Sequence, residues 1–279
     1  MAQPTGSVIV AAHNEASGIA STLASLLADA AEGEFDVVVS CNGCTDDTAE
    51  IARGVPGVRV VELADASKPA ALRAGDAATS AFPRLYLDAD VELSTDTARA
   101  LIRALHEGNG LAAGVPGRLS LQSSTQPARW FLDFRSRLPV FHEGFIGAGV
   151  YALSRDGHAR VAPWPELIGD DQYVLRSFAP EERVTVPGHY TVVQAPPDLR
   201  TIVRRGVRVR RGNEQLSAGL AGRDLQAPPG GLRSALVDAA LSPRGILGAV
   251  TFVLTTLVIR ARSRWWVGGG DWVGSHRRP

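Results

Sequence analysis

Two aspartates stand two residues apart, Asp88 and Asp90, directly after the apolar run Leu85 to Leu87. In extended backbone, residues i and i+2 point to the same side, so this spacing directs two carboxylates at one site while Ala89 points away. Carboxylate oxygens are hard donors suited to Mg²⁺ or Mn²⁺, and Mg²⁺ takes one or two of them and fills its shell with water and phosphate oxygens. The pair therefore predicts a metal–diphosphate site. Aspartate is also a common turn residue at a strand end, so by itself the spacing leaves a purely structural reading open. A second acidic pair, Asp170 and Asp171, follows Gly169 at an expected helix start, where aspartate is favoured as a cap whatever the chemistry.

Of the 29 basic residues only Lys68 is a lysine. A chain otherwise confined to arginine keeps a compact ammonium where a guanidinium fork does not serve. Arg200, Arg204, Arg208 and Arg211 lie at offsets that place all four within about an 80° stripe of a helix, giving one cationic face. That face suits a diphosphate, an anionic acceptor or lipid phosphates, or pairs with acidic surface elsewhere in the chain. Cys41-Asn42-Gly43-Cys44 follows a strand and opens a helix, the setting of a redox-active thiol pair. A zinc site would need two more ligands nearby, and the sequence offers none there.

These groups are carried by alternating β-rich and helical runs. Strands are expected at 7–12, 35–40, 58–63 and 85–87, with helices at 16–31, 45–53, 69–81 and 96–107 between and after them. Parallel strands joined by helical crossovers make a mostly parallel sheet with both faces covered, and such sheets bind ligands outside the strands' carboxyl ends. The polar clusters HNE, CNGCTDD and DAD fall at those ends. Further on, residues 116–145 show no clear period, 144–153 read as a strand entered through glycines, 167–178 as a loop turning into a helix, 184–193 as a Val/Tyr-rich segment, and 198–216 as a basic helix. Residues 226–245 read as a linker broken by Pro and Gly. The apolar run 245–259 is flanked by Arg244, Arg260, Arg262, Arg264, Trp265 and Trp266, and its fifteen residues fall short of the ~20 that span a bilayer.

With 45% apolar and 21% charged residues over 279 positions, the composition excludes disorder, collagen-like repeats and a disulfide-stapled mini-protein. Net charge is zero but segmental: residues 1–199 hold 15 basic and 25 acidic side chains, and residues 200–279 hold 14 and 4. This argues against a whole-protein nucleic-acid binder and for a basic tail that meets an anionic ligand, a lipid surface or the acidic part of the same chain. Two cysteines make no disulfide framework and point to a reducing compartment, and the start shows no secretory signal, so the expected location is cytoplasmic.

The ordered series IVAAHNE, VVVSCNGCTDDT, KPAALRAG, LYLDADVELS, GAGVYAL and GDDQYV resembles the family 2 glycosyltransferases of the GT-A fold, over roughly residues 7–212. The resemblance implies an α/β domain over 1–225 with a mostly parallel, Rossmann-like sheet, followed by a linker and helical tail over 226–279. It implies an inverting transfer of sugar from a nucleotide-diphosphate sugar to an acceptor hydroxyl, assisted by Mg²⁺ or Mn²⁺. By resemblance, Ala11, His13 and Glu15 wrap base and ribose, with Ala11 standing where the family has proline. Cys41 stands where the family has an aspartate contacting the base, beside Asn42, and a thiol does not replace a carboxylate acceptor. Lys68 and Arg73 are assigned to the nucleotide, Arg73 replacing the family's asparagine. Asp88 and Ala89 are placed near the ribose, Asp90 with Asp88 on the metal, and Gly147, Ala148, Gly149 and Tyr151 in the acceptor floor. Asp171 is the implied general base and Asp170 its orienting partner, with Arg204, Arg208 and Arg211 toward the diphosphate or another anion. The polymerising members' Q-x-x-R-W motif is absent, which argues against a processive synthase.

Two rival readings remain at this level: a nucleotidyltransferase acting on a sugar phosphate, whose phosphate loop AAHNEASG matches poorly, and a non-catalytic nucleotide-sugar-binding protein. The 245–266 stretch is open to core packing, dimerisation or peripheral membrane contact.

Overall fold

The computed structural model describes residues 3–219 apart from 109, 123 and 143, together with residue 236 and residues 242–265. Its frame is a seven-stranded sheet. The central strand β1 (Gly6–Ala12) is buried along its whole length, as a continuous apolar run in a sheet covered on both faces must be. It pairs in parallel with β2 (Phe35–Asn42), and β2 with β3 (Val58–Leu63). On its other side β1 pairs in parallel with β4 (Arg84–Asp88). The helices α1 (Ile19–Leu27), α2 (Thr48–Arg53) and α3 (Lys68–Ala78) make the crossovers. Helix α3 starts where it does because the Ser67 hydroxyl accepts the Ala70 backbone N–H at 3.2 Å and Pro69 occupies the first turn.

Beyond β4 come β5 (Val91–Glu92), α4 (Thr95–Glu107), β6 (Ala112–Gly114) and β7 (Gly117–Ser120). Next are α5 (Gln126–Ser136), β8 (Val150–Leu153), α6 (Arg155–Val161), α7 (Asp170–Ser177), β9 (Arg183–Thr185) and β10 (Thr191–Gln194). The main sheet runs β3-β2-β1-β4-β8-β6-β9, with β8 antiparallel to both neighbours, and a small sheet runs β5-β10-β7. The unperiodic segment 116–145 thus resolves into β7 and α5, and the Val/Tyr-rich segment 184–193 divides between the two sheets. The strand expected over 144–153 is confined to 150–153, because Gly144, Gly147 and Gly149 all take left-handed backbone (φ +81°, +70° and +66°) and break the extended run.

Helices α8 (Leu199–Gly219) and α9 (Pro243–Arg264) complete the chain as described. The 15-residue apolar run is only the middle of α9, whose polar ends continue the helix, so Arg244–Arg264 is long and apolar enough to cross a membrane by length and composition. One of its faces is packed: Phe252 stacks on Phe131 and Phe134 of α5 (centroids 5.3 and 4.8 Å), and Ile259 lies over Gly206 of α8. The linker reading over 226–245 falls outside the described residues as far as 241, except at Leu236.

Candidate active site

A cleft of about 1540 Å³ opens at the carboxyl ends of β1 and β4, walled by the start of α3, the 145–151 segment, the start of α7 and one face of α8. Among the residues with chemistry, Glu15, Lys68, Asp88, Asp90, Asp170 and Asp171 all line it. Sequence positions up to 156 apart converge here because crossovers return every parallel strand to the same end of the sheet.

Lys68 sits at the centre. Its Nζ donates to Asp88 Oδ1 at 2.6 Å and to Asp170 Oδ1 at 2.8 Å, joining the first half of the sheet to α7. The Asp170 Oδ2 accepts the Tyr151 hydroxyl at 2.8 Å. Tyr151 pairs directly across from Tyr86 in the β4–β8 register and stacks on it at 5.2 Å. The Tyr86 hydroxyl in turn donates to Asp76, which also accepts from Arg84, His158 and Trp164. This buried network fixes the ring that aims Asp170. Burial opposes ionisation of Asp170, yet Lys68 and Tyr151 outweigh it and hold its carboxyl below the usual range. Burial also opposes the Lys68 charge, and the two aspartates reverse that, leaving its ammonium more firmly protonated than usual. Asp88 goes the other way: burial, together with Asp170 and Asp90 nearby, raises it despite Lys68.

The next residue differs again. The Gln172 N–H donates to Asp171 Oδ1 (2.7 Å), and burial plus the adjacent Asp170 charge push the Asp171 carboxyl up to about 6. Adjacent aspartates in the first turn of α7 are thus separated in acidity, one lowered by its partners and one raised by burial and its neighbour's charge. Gly169, at φ +95°, turns the chain so that both enter the cleft.

Asp90 lines the cleft beside Asp88 and forms no salt bridge among the described residues. Among those residues no cluster of three or more His, Cys, Asp or Glu gathers as a metal cage. The donor set therefore fits a cation that uses two carboxylates and takes its other ligands from water and phosphate. Close packing requires Gly149 here: the Asp88 backbone N–H donates to Gly149 O at 2.8 Å, and a Cβ on Gly149 would lie only 2.4 Å from Val91 Cγ2 and 3.5 Å from Asp88 Oδ2.

Of the other residues singled out in the sequence, Ala11, Ala89, Gly147, Arg200, Arg204 and Arg208 also border the cleft. Several do not. His13 donates from Nδ1 to Asn42 O (2.6 Å), and Asn42, fully buried, donates from Nδ2 to Ala12 O (2.8 Å), so both tie the ends of β1 and β2 together. Cys41 is in the core, and the thiol–thiol hydrogen bond that lowers Cys44 to about 6 pushes Cys41 up. Ala148 is buried with its carbonyl accepting Thr191 Oγ1, Arg73 pairs with Glu166 and Trp164 O, and Arg211 pairs with Glu214. Sequence reading missed the Asp76 network, Arg205 and Arg135. Asp76 lies in an ordinary helix and its partners are 8 to 88 residues away, so no local pattern reports it.

A mostly parallel α/β sheet with paired carboxylates at its switch point is the architecture of the GT-A glycosyltransferases, and solved members resemble this chain. A mannosyltransferase from Pyrobaculum calidifontis, solved with GDP-Man and Mn²⁺, is similar over 94% of this chain and 76% of its own (TM-score 0.60, 22% identity). Glucosyl-3-phosphoglycerate synthase from Mycobacterium tuberculosis, solved with Mn²⁺, UDP and glucosyl-3-phosphoglycerate, is similar over 76% of this chain and 78% of its own (TM-score 0.54, 21% identity). Staphylococcus aureus TarS 1-349 is similar over 96% and 94% (TM-score 0.51, 15% identity). No curated protein matches the sequence. Residues 7–155, more than half of the chain, match the family model described as glycosyl transferase family 2, and the chain belongs to that family.

Proposed function

We propose that this chain transfers a sugar from a nucleotide-diphosphate sugar to an acceptor hydroxyl, with inversion at the anomeric carbon. The observation that carries the reading is one cleft holding Asp88 and Asp90 at the sheet end and, joined to them through Lys68 and Asp170, a carboxylate raised to about 6 at Asp171. The acceptor oxygen attacks the anomeric carbon, the bond from that carbon to the diphosphate oxygen breaks with its electron pair leaving on the diphosphate, and the hydroxyl proton passes to Asp171. A base whose pKa lies near the working pH suits such a transfer. Asp170, kept anionic by Lys68 and Tyr151, both orients α7 and raises Asp171. Asp90, with Asp88, would hold Mn²⁺ or Mg²⁺, which supplies neutralisation of charge on the departing diphosphate. Arg204 and Arg208 face the same diphosphate from α8, Glu15 and Ala11 border the nucleoside, and Gly147, Gly149 and Tyr151 form the acceptor floor. The nucleotide-sugar and Mn²⁺ complexes of the similar structures support the donor class and the ion. Free thiols at Cys41 and Cys44 support a cytoplasmic location, and the catalytic domain is taken to span 1–225.

A panel of nucleotide-sugars with Mn²⁺ or Mg²⁺ tests this through thermal stabilisation and slow donor hydrolysis. At least one donor is expected to raise Tm only with the ion present and to release a nucleoside diphosphate. Pyrophosphate release would favour a nucleotidyltransferase, and tight binding with no turnover would favour a sensor.

A further inference from the structure

Helix α9 has two faces of different character. One is packed: Phe252 meets α5, a Cβ on Gly206 of α8 would stand 2.4 Å from Ile259 Cδ1, and Arg210 of α8 donates from Nε to Ser263 Oγ at 3.1 Å. The other faces outward. Ile246 and Leu247, Val250, Val253 and Leu254, and Leu257 and Val258 recur at helical spacing within an arc of about 140°, and each is between 42% and 58% exposed. A contiguous apolar surface of this extent marks a contact site. Its ends are basic and aromatic: Arg244 precedes the row, Arg260 and Arg264 follow it on the exposed surface, and Trp265 beyond them is 85% exposed.

Three occupants suit an apolar helix face: the hydrocarbon of a bilayer that the helix crosses, a second copy of the chain, or the surface of a bilayer on which the helix lies. Crossing would draw α8 along, because the two helices are joined by the packed face. Helix α8 carries Arg200, Arg204, Arg205, Arg208, Arg210 and Arg211, whose charges are costly in hydrocarbon. A second copy meets like charge. Residues 243–265 contain no Asp or Glu, so an antiparallel pair of α9 helices sets Arg244 against Arg260 and Arg264, and a parallel pair sets each arginine beside its own copy. An anionic lipid surface satisfies both features, taking the apolar row at the acyl boundary, the arginines on phosphates and Trp265 at headgroup level. We propose that the outward face of α9 seats on an anionic lipid bilayer, with the helix lying in the plane of the interface. Ala261, Arg262 and Trp265 also line the cleft, so docking brings the rim of the candidate active site to the headgroup layer.

The test uses the full chain without nucleotide-sugar, so that failure of the glycosyltransferase reading leaves it standing. Flotation with vesicles of equal parts phosphatidylglycerol and phosphatidylcholine is expected to carry the protein. Binding to phosphatidylcholine alone should be at least about tenfold weaker, and binding to the mixed vesicles should fall as salt is raised. Leu254→Ser with Leu257→Ser removes apolar side chains, and Arg260→Gln with Arg264→Gln removes charge; each pair is expected to weaken binding by about tenfold or more. All four positions are exposed, so urea midpoints should stay near wild type. Bound protein is expected to be released by alkaline carbonate, whereas retention assigns α9 to a span and overturns the proposal. Absence of flotation with the mixed vesicles, equal binding to neutral ones, or wild-type binding in both paired variants also overturns it. A wild-type dimer in solution that Leu254→Ser with Leu257→Ser converts to monomer overturns it too, by assigning the face to a second copy.

Discussion

The two walls of the cleft are built differently. The sheet wall is carried by β1, β2 and β4, whose apolar side chains are almost wholly buried, and it delivers Asp88 from the end of β4, held in register with β1, and Asp90 from the turn that follows. The opposite wall is α8, backed by α9, and it delivers arginines from a helix whose partner turns a row of large apolar side chains outward: Ile246, Val250, Leu254 and Leu257 are each half exposed or nearly so. Groups expected to act on the scissile bond thus stand on the rigid side, and groups that select a ligand by charge stand on the side with less packing. A site assembled this way tolerates change of acceptor more readily than change of chemistry.

The largest effects are expected on the sheet wall and at its junction with α7. Asp171→Asn should lower sugar transfer by about 10²–10⁴-fold while donor affinity stays near wild type, measured by single-turnover transfer and by titration of the donor. Asp90→Ala should lower metal-dependent turnover by about 10²–10³-fold and abolish the dependence of donor stabilisation on divalent ion. If either variant kept full activity, the sheet wall would lose its chemical role and the comparison between the walls would fail.

Asp171 also gives a stability signature of opposite sign. A carboxyl whose pKa is raised to about 6 in the folded chain favours the acid form, so its contribution to stability is fully present below the unfolded value of about 4 and is lost as pH rises through 6. Asparagine never ionises and escapes that loss. Asp171→Asn should therefore melt a few degrees above wild type at pH 8, and the two should converge toward pH 4. The transfer rate of wild type should have an acid limb near pH 6, where the base becomes protonated. A variant that is more stable and less active at the same pH separates a functional carboxylate from a structural one. Lys68→Met should act in the reverse sense, destabilising by about 3 kcal/mol in urea titration, because it leaves Asp88 and Asp170 facing each other without their shared cation.

The same division decides what the sequence discloses. Strand positions were legible because buried parallel strands are continuous apolar runs, and the acidic pairs were legible as residue types, but the extended backbone expected to aim Asp88 and Asp90 is absent: β4 ends at Asp88, and Ala89 and Asp90 make the turn into β5. The segment 116–145 was opaque: α5 packs on α9 through Phe131 and Phe134 meeting Phe252 more than a hundred residues later, and no local period signals such a contact. Arg135 sits in that segment and carried no readable mark. The glycines of 144–149 suggested entry to a strand, whereas their positive φ values make them a turn that opens the cleft floor. Cys41 lies at a motif position and yet points into the core, because strand alternation, not motif alignment, sets which face a side chain takes.

The smallest effect is expected on the helix wall and bears on what backs α8. Phe252→Ala removes the ring that meets Phe131 and Phe134, and should cost about 3 kcal/mol. Leu254, two positions on, is 58% exposed, and Leu254→Ser should change stability by no more than about 0.5 kcal/mol. The contrast is read from the urea midpoints of the two variants in detergent-free buffer. Equal costs would mean that the outward face of α9 is covered in solution, so that the helix wall is as firmly packed as the sheet wall and the asymmetry between them disappears. A large cost for Phe252 alone leaves the outward row unpacked, and the arginines of α8 then stand on a helix held from one side only.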